Sequence, residues 1–244
     1  MRNIFLSSHE LKTNPVTIAG PVFHHLVNVL RIRVGERITL LDNLGSAFEA
    51  EIETLGKKSV TAQILRNAEI RPEPAVHITV AQAVGKGDKL EQVIQHGSEI
   101  GASAFVPLFT ERTTVKLSAY NSDKIERLKK VAKGAAEQCG RCRIPEVECP
   151  VTFTEFLNKS SEYDAVFILS RDGVPLPNEL LKQQIAKPSR VVICIGPEGG
   201  YTTSELYMAN RVGARAISLG PYVLRTETAA LACIAQIMAL AMPN

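Results

Sequence analysis

The stretch "CIGPEGGYTTSEL", Cys194 to Leu206, places three glycines and a proline between an apolar run and the start of a predicted helix. The preceding run, "RVVICI", is typical of a buried strand. Glycine at a strand end is costly unless a ligand approaches the main chain closely or the turn needs a positive φ. The "TTSE" that follows predicts a capping box, in which Thr202 caps the helix and Glu205 bonds back to it. On its own, this tight loop is as consistent with a plain connection as with a ligand site.

A second loop has the same arrangement after the next predicted strand. In "LGPYVLRTETA", Leu219 to Ala229, glycine and proline again follow a strand, and Arg225 precedes a helix opened by Thr226 and Glu227. We expect the two loops to follow adjacent strands and to bring their backbones together. Such a pocket, with main-chain donors and acceptors on two sides, suits a purine and its attached chain.

The chain changes its hydrophobic period near residue 72. Up to residue 70, "RITLLD", "AFEAEIETL" and "SVTAQILR" predict short strands of an antiparallel sheet or barrel, interrupted by a helix at "GPVFHHLVNVLR". The segment "RPEP", Arg71 to Pro74, is typical of a linker. Beyond it, five strand and helix units predict a parallel α/β sheet with helices on both faces and ligands at the strands' carboxyl ends. The units are "VHITVAQAV" with "DKLEQVIQHGSEIG", "AFVPLF" with "SDKIERLKKVAKGAAEQCG", "DAVFIL" with "PLPNELLKQQIA", "RVVICIG" with "TTSELYMANRVG", and "ARAISLG" with the terminal helix.

Composition narrows the class of protein. The chain has 244 residues and a net charge of +3. Its first residues do not resemble a signal peptide, so we expect a cytoplasmic location. The most apolar stretch, Ala229 to Met242, is shorter than the roughly 20 residues of a membrane span, and predicts a helix buried in the core or in a subunit interface. No membrane association is expected.

The middle of the chain carries a basic excess, since residues 86 to 143 contain 11 Lys and Arg against 7 Asp and Glu. This excess suits a polyanionic partner or, equally simply, a solvated helix face.

The "CGRC" at Cys139 to Cys142 lacks a second paired motif, so structural cysteines are favoured over a zinc or redox site and no metal is expected. "AVGKGDKLEQ" has Leu90 where a dinucleotide fingerprint needs its third glycine, which favours a plain turn.

Four motifs together carry a family resemblance. "GPEGGYTTSEL" and "SLGPYVLRTETAAL", with "EQVIQHGSEIGASAFVPLFTERT" and "AAEQCGRCRIPEV" upstream, resemble the RsmE-type 16S ribosomal RNA (uracil-N3) methyltransferases of the SPOUT superfamily. The resemblance extends to "HHLVNVLRIRVGE" near the amino terminus. It implies S-adenosylmethionine-dependent methylation of uridine N3 in 16S ribosomal RNA of the small ribosomal subunit.

The resemblance also implies an architecture. It predicts a PUA-like β-barrel RNA-binding domain at residues 1–72 and a SPOUT α/β-knot methyltransferase domain at residues 73–244, acting as a homodimer. The carboxyl-terminal trefoil knot is supplied by the family alone, because chains in general avoid knots.

Site residues follow from the resemblance, position by position. The cofactor S-adenosylmethionine is expected to contact two glycine motifs and the end of an earlier strand, at Leu169, Ile195, Gly196, Glu198, Gly199, Gly200, Leu219, Gly220, Tyr222, Val223 and Leu224. Tyr201 and Val223 stand where phenylalanine and isoleucine are more usual in the family.

Arg225 is the candidate for stabilising the uridine anion formed when N3 loses its proton, unless it forms a structural salt bridge to Glu198 or Glu227. Glu198 is the second candidate catalytic residue, and the general base is not assigned. Five arginines are expected to bind RNA phosphates, because the guanidinium fork suits them: Arg31, Arg33, Arg112, Arg141 and Arg143. An RNA-binding module without turnover and a nucleotide-dependent oxidoreductase built on "GKGDK" stay open as alternatives.

Overall fold

The structure, a computed structural model, describes residues 2–70, 72–175 and 189–241. Its backbone divides into two compact units, one formed by Met1–Glu73 with Ala136–Ile144 and the other by Pro74–Ala135 with Pro145–Asn244. Apart from Pro175, the helix predicted at "PLPNELLKQQIA" lies outside the described residues. The predicted domain limits of 1–72 and 73–244 stay a prediction, and the grouping of residues 136–144 with the first unit is a feature that local sequence patterns do not indicate.

Within the described part of the first unit, five strands form one sheet in the order β1-β3-β4-β5-β2, with β1 and β3 parallel and the other pairs antiparallel. The strands are β1 (Arg2–Phe5), β2 (Val16–Ala19), β3 (Arg37–Leu41), β4 (Ala47–Leu55) and β5 (Ser59–Asn67). The three strands predicted from the period of two are confirmed.

The helix predicted between the strands of the first unit is also confirmed. It begins as α1 (Gly20–His24) and continues as one π-helical turn, His25–Val29. Its buried Leu26 packs among the inward side chains of the sheet. The helix is followed by Arg31, which has a positive φ of 52°.

In the second unit, the described strands form one parallel sheet in the order β12-β10-β11-β6-β7-β8, and β9 also pairs with β7. They are β6 (Val76–Ala83), β7 (Ala104–Phe109), β8 (Glu146–Val147), β9 (Val151–Thr152), β10 (Ala165–Pro175), β11 (Ser189–Ile195) and β12 (Arg215–Ser218). The predicted parallel α/β sheet is therefore confirmed.

Helices cover both faces of this sheet, as the sequence predicts. The described helices of this part of the chain are α2 (Lys89–Ile100), α3 (Ser122–Cys139), α4 (Phe153–Leu157), α5 (Thr203–Arg211) and α6 (Thr226–Ala241). Phe153 of α4 and Ala209 of α5 pack on Val106 and Val192 of the sheet. On the opposite face, Phe105 lies against Gly97 of α2, where α6 also packs. Strands buried on both faces explain why their sequences are almost continuously apolar.

The terminal helix α6 is less enclosed than its sequence suggests. Cys233, Ile234 and Ile237 are fully buried within the chain, whereas Ala235 and Ala239 are exposed. One side of α6 therefore belongs to the core, and the other side presents small apolar residues to solvent. No helix in the described part of the chain is long and apolar enough to cross a membrane.

Candidate functional site

The carboxyl ends of the parallel strands meet at one edge of the sheet, and both glycine loops begin there. Leu169 of β10 pairs with Ile217 of β12, while Ile195, the last residue of β11, pairs with Gln82 of β6. The expectation that the loops follow adjacent strands is wrong, because β12 pairs with β10 and not with β11. The loops therefore flank the end of β10, about 10 Å apart at the usual strand spacing.

The first glycine loop, residues 196–201, is a tight turn. The Gly200 N–H donates to the Pro197 carbonyl at 2.8 Å, and Gly200 has a φ of 67°, a conformation that side chains disfavour. The ring of Tyr201 is buried against Gly196 and lies 5.1 Å from the ring of Phe153. This packing fixes where the loop returns to the fold.

The predicted capping box after this loop is confirmed. The Glu205 N–H donates to the Thr202 hydroxyl at 3.2 Å, and the Thr202 N–H donates to Oε2 of Glu205 at 2.8 Å. The other oxygen of Glu205 accepts the N–H of Glu111 at 2.9 Å. Both oxygens of this buried carboxylate are thus used to anchor α5 and the segment that follows β7.

The second glycine loop, residues 219–225, is more open. Leu219 and Leu224 are half-buried, whereas Gly220 and Val223 are exposed. The side chain of Tyr222 is among the most exposed apolar groups described, at 84%. A Cβ added to Gly200 or to Gly220 would meet no atom within 4 Å, so the backbone of each loop faces open space that a ligand can enter.

An ion cluster connects the two loops with the start of α2. Nζ of Lys89 lies 2.7 Å from Oε1 of Glu198 and 3.8 Å from Oε2 of Glu227. The hydrogen bond from Lys89 lowers the pKa of Glu198, and the same bond raises the pKa of Lys89. Arg225 lies near enough that its charge opposes this rise in the Lys89 pKa.

The cluster bears on the predicted roles of Arg225 and Glu198. In the described part of the chain both carboxylates pair with Lys89, and no ion pair of Arg225 occurs there. The exposed guanidinium of Arg225 is therefore available to a ligand. Because the pKa of Glu198 is lowered, Glu198 is held as a carboxylate and is a weak proton acceptor.

Two residues at this edge were not predicted from the sequence. Lys89 lies in "GKGDK", whose pattern favours a plain turn, and its hydrogen bond to Glu198 joins residues that are 109 positions apart in the sequence. Gln82 is buried near the end of β6, and its Oε1 has no hydrogen-bond partner among the described residues. A polar residue within the apolar run "VHITVAQAV" was the available signal for Gln82.

The five arginines predicted to bind RNA differ in their surroundings. Arg31 and Arg33 are exposed on the first unit. Arg141 and Arg143 lie in the same unit, where Arg141 pairs with Glu73 and Arg143 donates to the Leu44 carbonyl. Their RNA-binding role stays a prediction. In the second unit, Nη1 of Arg112 donates to the carbonyl oxygens of Gly199 at 2.6 Å and of Tyr201 at 3.4 Å.

A cavity of about 300 Å³ lies at the opposite edge of the sheet. It is lined near the amino ends of β10 and β12 by residues that include Tyr163, Asp164, Val212 and Arg215. Ligands of open parallel sheets bind outside the carboxyl ends of strands. We therefore place the candidate site at the glycine loops and not in this cavity.

Comparison with known proteins identifies an RNA-modifying fold. A family model described as an RNA methyltransferase domain matches residues 71–238, and one described as an RNA methyltransferase PUA domain matches residues 18–65. Fold and site thus define an RNA methyltransferase with a PUA-like amino-terminal domain.

Individual relatives narrow the class further. Proteins named ribosomal RNA small subunit methyltransferase E are similar to this chain in a Synechocystis species (37% identity, covering 92% of this chain and 73% of the relative) and in Bacillus subtilis (32%, 96% and 94%). The chain belongs to the ribosomal RNA small subunit methyltransferase E family.

Solved structures of similar proteins include cofactor complexes. The enzyme of that name from Neisseria gonorrhoeae, bound to S-adenosyl methionine, has a TM-score of 0.84 and 33% identity, with 98% of each chain covered. A putative methyltransferase from Legionella pneumophila, also in complex with the cofactor, has a TM-score of 0.84 and 31% identity, covering 97% of this chain and 96% of the other.

Proposed function

We propose that this protein transfers a methyl group from S-adenosylmethionine to N3 of a uridine in 16S ribosomal RNA of the small ribosomal subunit. The observation that carries the proposal is the pair of glycine loops that flank the end of β10 in the RNA methyltransferase domain. Family membership supports the RNA substrate, and the cofactor-bound relatives support the methyl donor.

The loops have the properties that this cofactor requires. The backbones at Gly200 and Gly220 face open space, so main-chain groups are accessible to an adenosine on two sides. Further contacts are assigned to Leu169, which lies within β10 and not at its end as the sequence predicts, to Ile195 at the end of β11, and to the other loop residues predicted from the sequence. The carboxylates of Glu198 and Glu227 lie beside the loops and suit a ligand that carries positive charge.

The cofactor supplies an activated methyl group, and the chain's own residues have to position the uridine and promote loss of its N3 proton. The guanidinium of Arg225 is exposed and not paired with Glu198 or Glu227, and can therefore hold a uracil oxygen as negative charge develops. Glu198 is ionised and paired with Lys89, so in this scheme it contributes a negative charge beside the cofactor and does not act as the general base.

The remaining parts of the proposal concern assembly and RNA binding. Arg31 and Arg33 of the first unit are exposed and can contact phosphates. The small apolar residues on the exposed side of α6 suit a homodimer interface. A trefoil knot in the second domain and a cytoplasmic location complete the proposal.

A labelling experiment tests the proposed reaction. Small ribosomal subunits from a strain lacking this gene are incubated with the protein and methyl-labelled S-adenosylmethionine, and the RNA is digested to nucleosides for mass spectrometry. We expect 3-methyluridine at a single position, where the methyl group also stops reverse transcription. No incorporation, or methylation of another atom, contradicts the proposal.

A ligand screen separates the two alternative functions. S-adenosylmethionine and S-adenosylhomocysteine should raise the unfolding temperature, because a ligand that binds the folded state stabilises it, whereas NAD should not. Stabilisation by NAD alone favours an oxidoreductase. Binding of RNA without stabilisation by either sulfur compound favours a binding module.

A further inference from the structure

We propose that Arg112 is a positioning residue that holds the first glycine loop in shape for the cofactor, and that its guanidinium is committed to this loop and not to an RNA phosphate. The inference rests on the proposed function of the loop. Its basis is the pair of hydrogen bonds from Nη1 of Arg112 to the carbonyls of Gly199 and Tyr201.

The stem of Arg112 also touches the loop. A Cβ built on Gly199 would lie 3.3 Å from Cδ of Arg112 and 3.6 Å from its Cβ. The side chain therefore lies along the backbone of Gly199, and its charged end binds the carbonyls on either side of Gly200. Carbonyls held by a cation are fixed in direction, and this direction sets which groups of the loop face the open side.

The segment that carries Arg112 is itself fixed. The Thr110 N–H donates to the Thr113 hydroxyl at 3.0 Å, and the Thr113 N–H donates to the Thr110 carbonyl at 3.1 Å. The N–H of Glu111 donates to the buried carboxylate of Glu205, which caps α5. A rigid turn after β7 thus contacts the loop and the helix that follows it, so Arg112 approaches Gly199 from a defined direction.

The other contacts that hold the first glycine loop do not orient the Gly199 carbonyl. Tyr201 anchors the carboxyl end of the loop through its buried ring, and the Pro197 carbonyl closes the turn at Gly200. Neither contact orients the carbonyl of Gly199, which is exposed. The guanidinium of Arg112 does so at 2.6 Å.

The test measures cofactor binding in the absence of RNA. Calorimetry compares S-adenosylhomocysteine binding by the wild type, Arg112→Met, Arg112→Lys and the control Arg211→Met, which changes an exposed arginine at the end of α5. We expect Arg112→Met to weaken binding roughly tenfold to a hundredfold, as for loss of hydrogen bonds from a charged donor. Arg112→Lys should recover part of this loss, and the control should bind like the wild type.

Kinetics and RNA binding provide the readouts that a general structural defect would not reproduce. For Arg112→Met we expect a raised KM for S-adenosylmethionine with kcat nearly retained at saturating cofactor, and an unchanged salt dependence of RNA binding. Unchanged cofactor affinity, together with a salt slope reduced by about one, overturns the inference and assigns Arg112 to a phosphate.

Two further outcomes are distinguishable. If Arg112→Met has a lower kcat, a raised KM and no cooperative thermal unfolding transition, and Arg112→Lys does not restore them, the positioning role is overturned in favour of a general role in folding. A wild-type protein that does not bind S-adenosylhomocysteine overturns the proposed function, and the inference with it.

Discussion

Single side chains at the sheet edge set the charge of the candidate site. Lys89 and Glu227 lie at the starts of two helices, and Glu198 and Arg225 lie in the two glycine loops, so two positive and two negative groups meet at this edge. Glu198 retains 55% exposure of its side chain, so solvent screens its ion pair with Lys89. We therefore expect this pair to orient the carboxylate more than to stabilise the fold.

Replacing Lys89 tests this orientation. Lys89→Met should weaken S-adenosylhomocysteine binding about twofold to fivefold, the range for a screened ion pair. The matched control is Lys129→Met, which removes a pair of similar length, 2.8 Å, on the exposed surface of α3. Calorimetry should detect no change in the control. Equal losses in both variants would show that the charge lost, and not the position of Lys89, matters.

The pH dependence of binding follows from the lowered pKa of Glu198. Because folding lowers this pKa, the ion pair with Lys89 is fully formed above the ordinary pKa of a glutamate and is lost as the pH falls through the lowered pKa. Cofactor affinity should therefore be constant from about pH 6 to pH 8 and decrease only below the ordinary carboxylate range. In Lys89→Met the decrease should begin at a higher pH, which titration calorimetry at several pH values can measure.

Arg225 should act on turnover more than on cofactor binding. Its exposed guanidinium lacks an ion pair in the described residues, so Arg225→Ala should leave the fold unchanged. If the arginine stabilises the transition state by roughly 3 to 4 kcal/mol, the single-turnover rate should decrease a hundredfold or more. Arg225→Lys should retain part of the rate, since it keeps the charge without the planar fork.

A near-normal single-turnover rate of Arg225→Ala on purified small subunits would reduce Arg225 to a surface residue. Glu227 would then be the next side chain to test as a base. Its side chain is 16% exposed, less than that of Glu198, and its distance to Lys89 is longer. Affinity for S-adenosylhomocysteine serves as the control, because it should change little in Arg225→Ala.

At the scale of elements, the first glycine loop uses its glycines for different reasons. Gly200 has a positive φ and open space around it, so its requirement is conformational. Gly199 has no such backbone requirement, and a side chain there would press on Arg112. A substitution at Gly200 therefore strains the backbone, whereas a substitution at Gly199 displaces the side chain of Arg112.

Substitutions in the loop should separate backbone strain at Gly200 from the steric effect on Arg112 at Gly199. Gly199→Val should weaken cofactor binding at least as much as Arg112→Met, by roughly tenfold to a hundredfold or more, while leaving the unfolding temperature nearly unchanged, because the added side chain displaces Arg112. Gly200→Ala should cost about 1 to 2 kcal/mol of local backbone energy and also weaken binding. The control is Gly134→Ala in α3, where a Cβ meets no atom within 4 Å and alanine favours the helix. Unchanged affinity in Gly199→Val would make the loop a plain connection.

At the scale of the whole molecule, the proposed dimer is best tested on the exposed side of α6. Ile234 and Ile237 are fully buried within the chain, so aspartate at either position should unfold the protein and is a poor probe of association. Ala235→Glu combined with Ala239→Glu places charge on exposed positions and should yield folded monomers in sedimentation velocity. Lys130→Glu on exposed α3 is the control. A wild type that is monomeric at micromolar concentration would contradict the dimer.

A fragment of residues 74–244 tests the independence of the second domain. It contains both glycine loops and should bind S-adenosylhomocysteine, whereas methylation of RNA should decrease sharply without Arg31 and Arg33. Residues 136–144 belong to the first unit, where Ala136 and Cys142 pack on Phe5. The fragment exposes this apolar surface, so we expect reduced solubility. A folded fragment without cofactor affinity would contradict the predicted division into domains.

Local patterns in the sequence were sufficient for the parallel sheet, most of its helices and the positions of both glycine loops. Hydrophobic period and capping residues such as Thr202 and Glu205 act over a few residues, and they can therefore be recognised without knowledge of the fold. Motif resemblance added the family and the cofactor.

The strand order, the partners of Glu198 and Gly199, and the grouping of residues 136–144 required the three-dimensional arrangement. β10 separates β11 from β12, and Lys89 and Arg112 reach the first loop across 109 and 87 residues of sequence. Such contacts depend on which strands pair, and strand pairing is decided by burial of the whole sheet between its helices. No local pattern records that choice, because the same strand sequences satisfy several orders equally well.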